Sequence, residues 1–295
     1  MSHDRYGNDQ REEPGIDLKP DPEGDNEGDR EVNIKPPLQG EFLLVPPEPS
    51  KGEIDKKSEK KDKKHFHESQ YTEGPGEFQP VSRLIRQKNW LIVRFPVAQT
   101  VLSWAIVGGG KRRAQAVAWY QVTRGELKPP VDPRQFLKER LGEAFLPDAV
   151  GLLTSGNLDH YVEIEKRFEK YFVRSIATVG LSNALSVGDP PGRPDEAGTI
   201  NLLCQVSHPL SEEAMIEAVS LAAEARTAAV LEGGIPSTRT GLPSTGTGTD
   251  CIVIAAPESG IPLPYAGKHT PLGHLIGRTV LETIRLGVER WRQKK

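Results

Sequence analysis

Gly, Thr, Asn and Asp, which supply close backbone donors and short polar side chains, concentrate in four segments of this 295-residue sequence. They are TVGLSNALSVGD (178–189), AGTIN (197–201), GTGTD (246–250) and YAGKHTPLGHLIGR (265–278). Asp250 stands immediately before an apolar run, where an ionised carboxylate is costly unless paired or hydrogen bonded; the alternative is a turn Asp that bonds its own backbone. Thr247 and Thr249 offer hydroxyls that a neighbouring base could activate, although Thr beside Gly also serves as a plain turn residue. Gly246 and Gly248 let backbone N–H groups converge on an anion, or simply loosen a turn. Of seven histidines, three precede residue 81, and only His269 and His274 fall in a Gly-flanked segment. His269 is the acid/base candidate by type, with a helix-start cap as its other reading, and His274 is expected to line the rim of a pocket. Lys268 could add positive charge or stand exposed. Asn183, Thr199 and Asn201 are short hydrogen-bonding residues suited to a polar ligand, whereas Asp189, before Pro190 and Pro191, reads as a turn initiator.

Metal ligation has no sequence support, since no HxxxH, HExxH or clustered His/Asp spacing is present, and the two cysteines, Cys204 and Cys251, each lie in an apolar run. A phosphate-binding loop is excluded as well. Pro262 stands where that motif needs Gly, and His269 follows Lys268 where it needs Ser or Thr.

The elements that would position these residues begin near residue 81. NWLIVRF (89–95), QTVLSWAIV (99–107) and AQAVAWYQV (114–122) read as three successive strands, the last two joined by the GGGKRR turn. A short helix is expected from Pro133 to about Phe145, then a strand over DAVGLLTS, a helix over LDHYVEIEKRF and a strand over EKYFVRSIATV. Two strand-then-helix units follow: TINLLCQV with Ser211 as N-cap of an Ala-rich helix to about Glu232, and DCIVIAA with a helix from about Thr270. The fold class expected is α/β, a single domain with a mixed, partly antiparallel sheet covered by helices. The four polar segments then fall at strand ends or helix starts, where α/β proteins commonly bind ligands.

Residues 1–80 are a different material. They hold 20 acidic and 12 basic residues, no Ala, only 9 Val, Ile or Leu, and 18 Pro plus Gly. Such a stretch cannot bury enough apolar surface to offset chain entropy, so a disordered charged tail over 1–80 and a folded domain over 81–295 are expected. The basic run KKSEKKDKKH is interspersed with acids in a tail of net charge −8, which argues against nucleic acid. No run approaches the ~18 apolar residues needed to cross a bilayer, and a cytoplasmic location is expected.

GLSNALSVGD, GTIN, GTGTDC before an apolar strand, and YAGKHTPLGHLIGR, in that order and with the Ala-rich helix between the second and third, resemble the adenosylcobinamide amidohydrolase family of corrinoid salvage enzymes. The resemblance covers about residues 81–295. It implies hydrolysis of the amide joining the aminopropanol arm to the corrin ring of adenosylcobinamide, giving adenosylcobyric acid and 1-amino-2-propanol. The partner implied is adenosylcobinamide or a related corrinoid. No cofactor is expected, cobalt being part of the substrate. A non-catalytic corrinoid- or nucleotide-binding module is the alternative.

Amide hydrolysis requires a nucleophile or activated water, a proton donor for the leaving amine, and donors for the developing oxyanion. The expected catalytic set is His269, Asp250 and Lys268. Asp250 would accept the ring N–H of His269, provided that the Pro-rich return ESGIPLPYAG brings the loop back beside the strand's start. Asn183, Thr199, Asn201, Gly246, Thr247, Gly248, Thr249 and His274 are the expected substrate-binding residues.

Overall fold

Pro96 has no N–H to donate to a sheet ladder, and the chain answers with a shift of register between Arg94 and Gln99 rather than with a break. The two strands expected over 89–107 are therefore two halves of one, β2 (Trp90–Ser103), preceded by β1 (Arg83–Gln87) and followed by β3 (Gly110–Gln121). The structure, a computed structural model, describes residues 82–192 and 196–294. The expected tail over 1–80 lies outside the described residues.

Asp132 caps α1 (Pro133–Glu143) by accepting from the N–H groups of Arg134 and Gln135, and β4 (Val150–Thr154) follows. The helix expected over 158–168 does not form. A single 3₁₀ turn at Leu158–His160 leads instead into β5 (Val162–Phe168), antiparallel to β6 (Tyr171–Val179). Apolar residues at 158, 161, 162 and 168 imitate helical spacing, but Val162 and Ile164 fit an alternating pattern, and Arg174 on β6 is paired with Glu163 at 2.6 Å. Glu169, at φ 53°, makes the tight return without the Gly or Asn that would announce it.

β7 (Ala184–Leu185) precedes β8 (Ile200–Val206), and Ser211 then caps α2 (Glu212–Glu232). β9 (Gly246–Thr247) leads to β10 (Cys251–Pro257), and Thr270 caps α3 (Pro271–Arg292). The main sheet runs β4-β3-β2-β10-β8-β6-β5, with β1 paired to β2. It is mixed, as expected: β8 and β10 are parallel, as are β3 and β4, and the other neighbours are antiparallel. α2 and α3 bury their Ala- and Leu-rich faces on β6, β8 and β10. No helix among the described residues is long and apolar enough to cross a membrane.

The sheet curls back on itself. Asn201 at the start of β8 donates its Nδ2 hydrogen to the carbonyl of Leu153 on β4, at 2.7 Å. Three strands separate β4 from β8 in the sheet, so a flat arrangement would hold them about 19 Å apart. The concave side is filled by one apolar cluster that joins Leu152 of β4 to Ile176 of β6 and Leu203 of β8. That closure gathers the C-terminal ends of β2, β4 and β6 with the N-terminal ends of β8 and β10.

Candidate active site

Three of the four polar segments meet at this gathered end. Gly180 N–H donates to Thr199 O at 2.9 Å, Thr199 Oγ1 donates to Thr249 O at 2.9 Å, and Thr249 Oγ1 donates back to Gly198 O at 3.0 Å. β7 and β9 pair as a small antiparallel sheet, so Ala184 lies opposite Thr247 and Leu185 opposite Gly246. Asp189 fastens the first segment to the loop before β9. Its carboxylate accepts from Ser186 N–H, Ser237 Oγ and Thr240 Oγ1, and these bonds hold it below the usual carboxylate range, the Ser237 bond most of all. It is more than a turn initiator.

Asp250 is the hub. Its carboxylate accepts from Ile200 N–H at 2.9 Å, Thr247 N–H at 3.0 Å, the Thr247 hydroxyl and the Arg226 guanidinium of α2. The Asp250 and Arg226 side chains are 7% and 16% exposed, so the pair is largely withdrawn from water. Gly246 serves this pair rather than an anion, because a Cβ there would run into both the guanidinium and the carboxylate. The Asp250 carbonyl meanwhile accepts from Trp104 Nε1 at 2.6 Å, which ties the end of β2 to the same point. Neither Arg226, inside an Ala-rich helix, nor Trp104, inside a strand pattern, stands out in the sequence. An acid set before an apolar strand needs a buried cation, and that was the available signal for Arg226.

Two polar atoms at this end have no protein partner. Asn183 Oδ1 and Thr178 Oγ1 are buried without a hydrogen bond among the described residues, and a Cβ at Gly198 would stand 2.6 Å from the former. Thr178 sits directly opposite Asn201 across β6 and β8, so the two side chains share the concave face. Cys251, the next residue after Asp250, is no nucleophile at neutral pH, because burial pushes its thiol up to about 12.

The fourth segment lies elsewhere. β10 runs seven residues away from Asp250 before the chain turns back, and its return packs beside the start of α2. Leu263 N–H donates to Pro209 O, Ala266 N–H to Glu217, and Gly267 lies under the first turn of α3. The expected Asp250–His269 pair is accordingly absent. A seven-residue strand separates the two ends by about 20 Å, and the acceptor positions of Asp250 are taken by α2, its own loop and the start of β8. His269 is exposed and has no hydrogen bond to a described residue. Lys268 is ion-paired with Glu224 on the outer face of α2, and His274 rests against Phe168 at the β5–β6 turn with ring centroids 5.8 Å apart.

The arrangement provides a hydroxyl whose proton already points at a buried carboxylate, flanked by orphaned amide and hydroxyl groups in a closed end of the sheet. A family model described as adenosylcobinamide amidohydrolase matches residues 77–295. The chain is 31% identical over 193 residues to a Methanosarcina mazei protein named adenosylcobinamide amidohydrolase, covering 62% of this chain and 87% of that one. It is 30% identical over 198 residues to a protein of the same name from Halobacterium salinarum, covering 63% and 80%. It is also 29% identical over 157 residues to an uncharacterized protein of Methanocaldococcus jannaschii, covering 46% and 61%.

Proposed function

The chain belongs to the adenosylcobinamide amidohydrolase family, and from that premise we propose that it hydrolyses the amide joining the aminopropanol arm to the corrin ring of adenosylcobinamide. Water enters, and adenosylcobyric acid and 1-amino-2-propanol leave. The observation that carries this reading is the convergence on Asp250 of the segments that bear the family likeness, GLSNALSVGD, GTIN and GTGTDC.

In the proposed chemistry Thr247 replaces His269. Thr247 Oγ1 attacks the amide carbon, its proton passes to Asp250 and then to the departing amine, and water hydrolyses the resulting ester to free the acid. Arg226 and the Ile200 N–H orient the carboxylate throughout. The oxyanion faces the Gly248 N–H, since Thr247 and Thr249 donate theirs to Asp250 and to the Thr247 hydroxyl. Asn183 and Thr178, unpartnered and buried, suit a substrate rimmed with amide arms, since a bound amide would relieve the cost of leaving them unpaired. The reaction consumes only substrate and water, with cobalt carried by the substrate. Two free, buried cysteines suit the cytoplasmic setting proposed for it.

Incubation with adenosylcobinamide, followed by mass spectrometry for 1-amino-2-propanol, tests the assignment. Stoichiometric release with loss of the arm from the corrinoid is expected. Tight corrinoid binding without release would replace the enzyme by a corrinoid-binding module.

A further inference from the structure

We propose that Trp104 is the platform for the flat face of the corrin ring, an inference that rests on the corrinoid reading above. Four tryptophans are present. Trp119 is fully buried and Trp90 packs edge-on against Tyr120, whereas Trp104 leaves 50% of its surface exposed. Exposure alone does not set it apart, since Phe145, Val187 and Ile261 are more exposed, nor does it say what covers the indole.

Its position says what does. The Nε1–H donates to the carbonyl of Asp250 at 2.6 Å, so the ring stands directly beside the residue on which the three polar segments converge. The loop that carries it is pinned on both sides. Ala105 beyond it is buried, Gly109 packs so closely on Ala105 that a Cβ would lie 2.6 Å from its carbonyl, and Gly151 N–H donates to Val107 O at 2.9 Å. The indole is thus held in place before ligand arrives, which lowers the ordering cost of binding. A corrin ring offers a broad apolar face inside a rim of amides. Trp104 matches the face, and the orphaned Asn183 and Thr178 match the rim. Neither the reacting amide nor Thr247 depends on the indole for chemistry, so Trp104 is a binding residue.

Two substitutions separate the face from the hydrogen bond. Trp104→Phe keeps an aromatic surface and loses the N–H; Trp104→Gln keeps an N–H donor and loses the surface. Equilibrium dialysis of cyanocobinamide and initial rates on adenosylcobinamide are measured for both, with thermal unfolding as the folding control. Trp104→Gln should raise Kd and KM at least about tenfold while Trp104→Phe stays within about threefold, with kcat nearly constant in both. The platform is overturned if the glutamine variant binds like wild type, if the phenylalanine variant is equally weakened, or if kcat falls with KM unchanged. Should the glutamine variant not fold, the phenylalanine variant decides alone, a tenfold rise in Kd refuting the proposal. Wild-type protein that neither binds cyanocobinamide nor turns over adenosylcobinamide would refute the corrinoid reading itself and this inference with it.

Discussion

Asp250 and Arg226 form a buried ion pair that fastens the loop entering β10 to the middle of α2, and the pair is completed by donors from β8 and β9. Removing one member leaves the other charged and unmatched in a low-dielectric site. Arg226→Met should cost about 3–5 kcal/mol, lowering the thermal midpoint by roughly 6–20 °C for a domain of this size. Asp250→Asn combined with Arg226→Met should lose less than the two single losses added, which a double-mutant cycle by calorimetry would read. Additive losses would show that the two residues act independently.

Thr247→Val should lower turnover at least ~100-fold with little change in corrinoid affinity, and Thr247→Ser should restore much of it. His269→Ala should keep turnover within about threefold, because its ring stands at the other end of β10. The reverse pattern, with His269 essential and Thr247 dispensable, would sink the assignment of the reactive group to the end gathered around Asp250.

Ser82, the first described residue, is anchored in the domain. Its hydroxyl donates to Gln205 and accepts from Arg174, and its carbonyl takes a second bond from the same guanidinium, all of it buried. Deleting residues 1–78 should leave the midpoint nearly unchanged, as the composition of that stretch implies. Deletion through Ser82 strands part of the Arg174 guanidinium and should cost about 1–3 kcal/mol. Thermal unfolding of the two truncations, compared side by side, checks the anchoring; equal midpoints would refute it.

Stability should fall in mild acid, with His208 contributing. Burial, and then Lys170, hold its imidazole below the ordinary 6.5, and the neutral ring shares a hydrogen bond of 2.7 Å with Ser207. The unfolded chain therefore binds this proton more readily than the folded one. The stabilisation is present above the ordinary value and is lost as pH drops through 6.5 toward the folded value. Midpoints measured from pH 7.5 down to 5 should decline, and His208→Gln should flatten the part of the decline between those two values.

What was legible in the sequence follows from how local its causes are. Ser211 and Thr270 declared their helices through side-chain caps that act within three residues. The Ala-rich face of α2 and the stripe of Leu272, Leu275, Ile276 and Val280 on α3 declared their packing through period alone. β5 resembles a helix in sequence because Leu158, Tyr161, Val162 and Phe168 satisfy a helical period, while the strand's partner, β6, lies beyond a turn made by Glu169. At the site, the place of Asp250 before an apolar strand marks a carboxylate in need of a partner, but that partner is Arg226 on α2 and not His269 downstream. The sequence order of Arg226 gave no hint that the crossover places it over the start of β10. Closure of the sheet through Asn201 and Leu153 is likewise a long-range event with no local signature.

α2 and α3 each follow a strand and run back against it, so both helices begin at the far end, beside Leu263 and Phe168, and finish toward Asp250. Their amino-terminal dipoles, the usual source of backbone positive charge for anions in α/β proteins, thus point away from the gathered loops. Negative charge developing there can draw on Arg226 and on the Gly248 N–H of the loop itself, but not on a helix start. An amine that acquires a proton as it departs therefore meets no helix start opposing its charge.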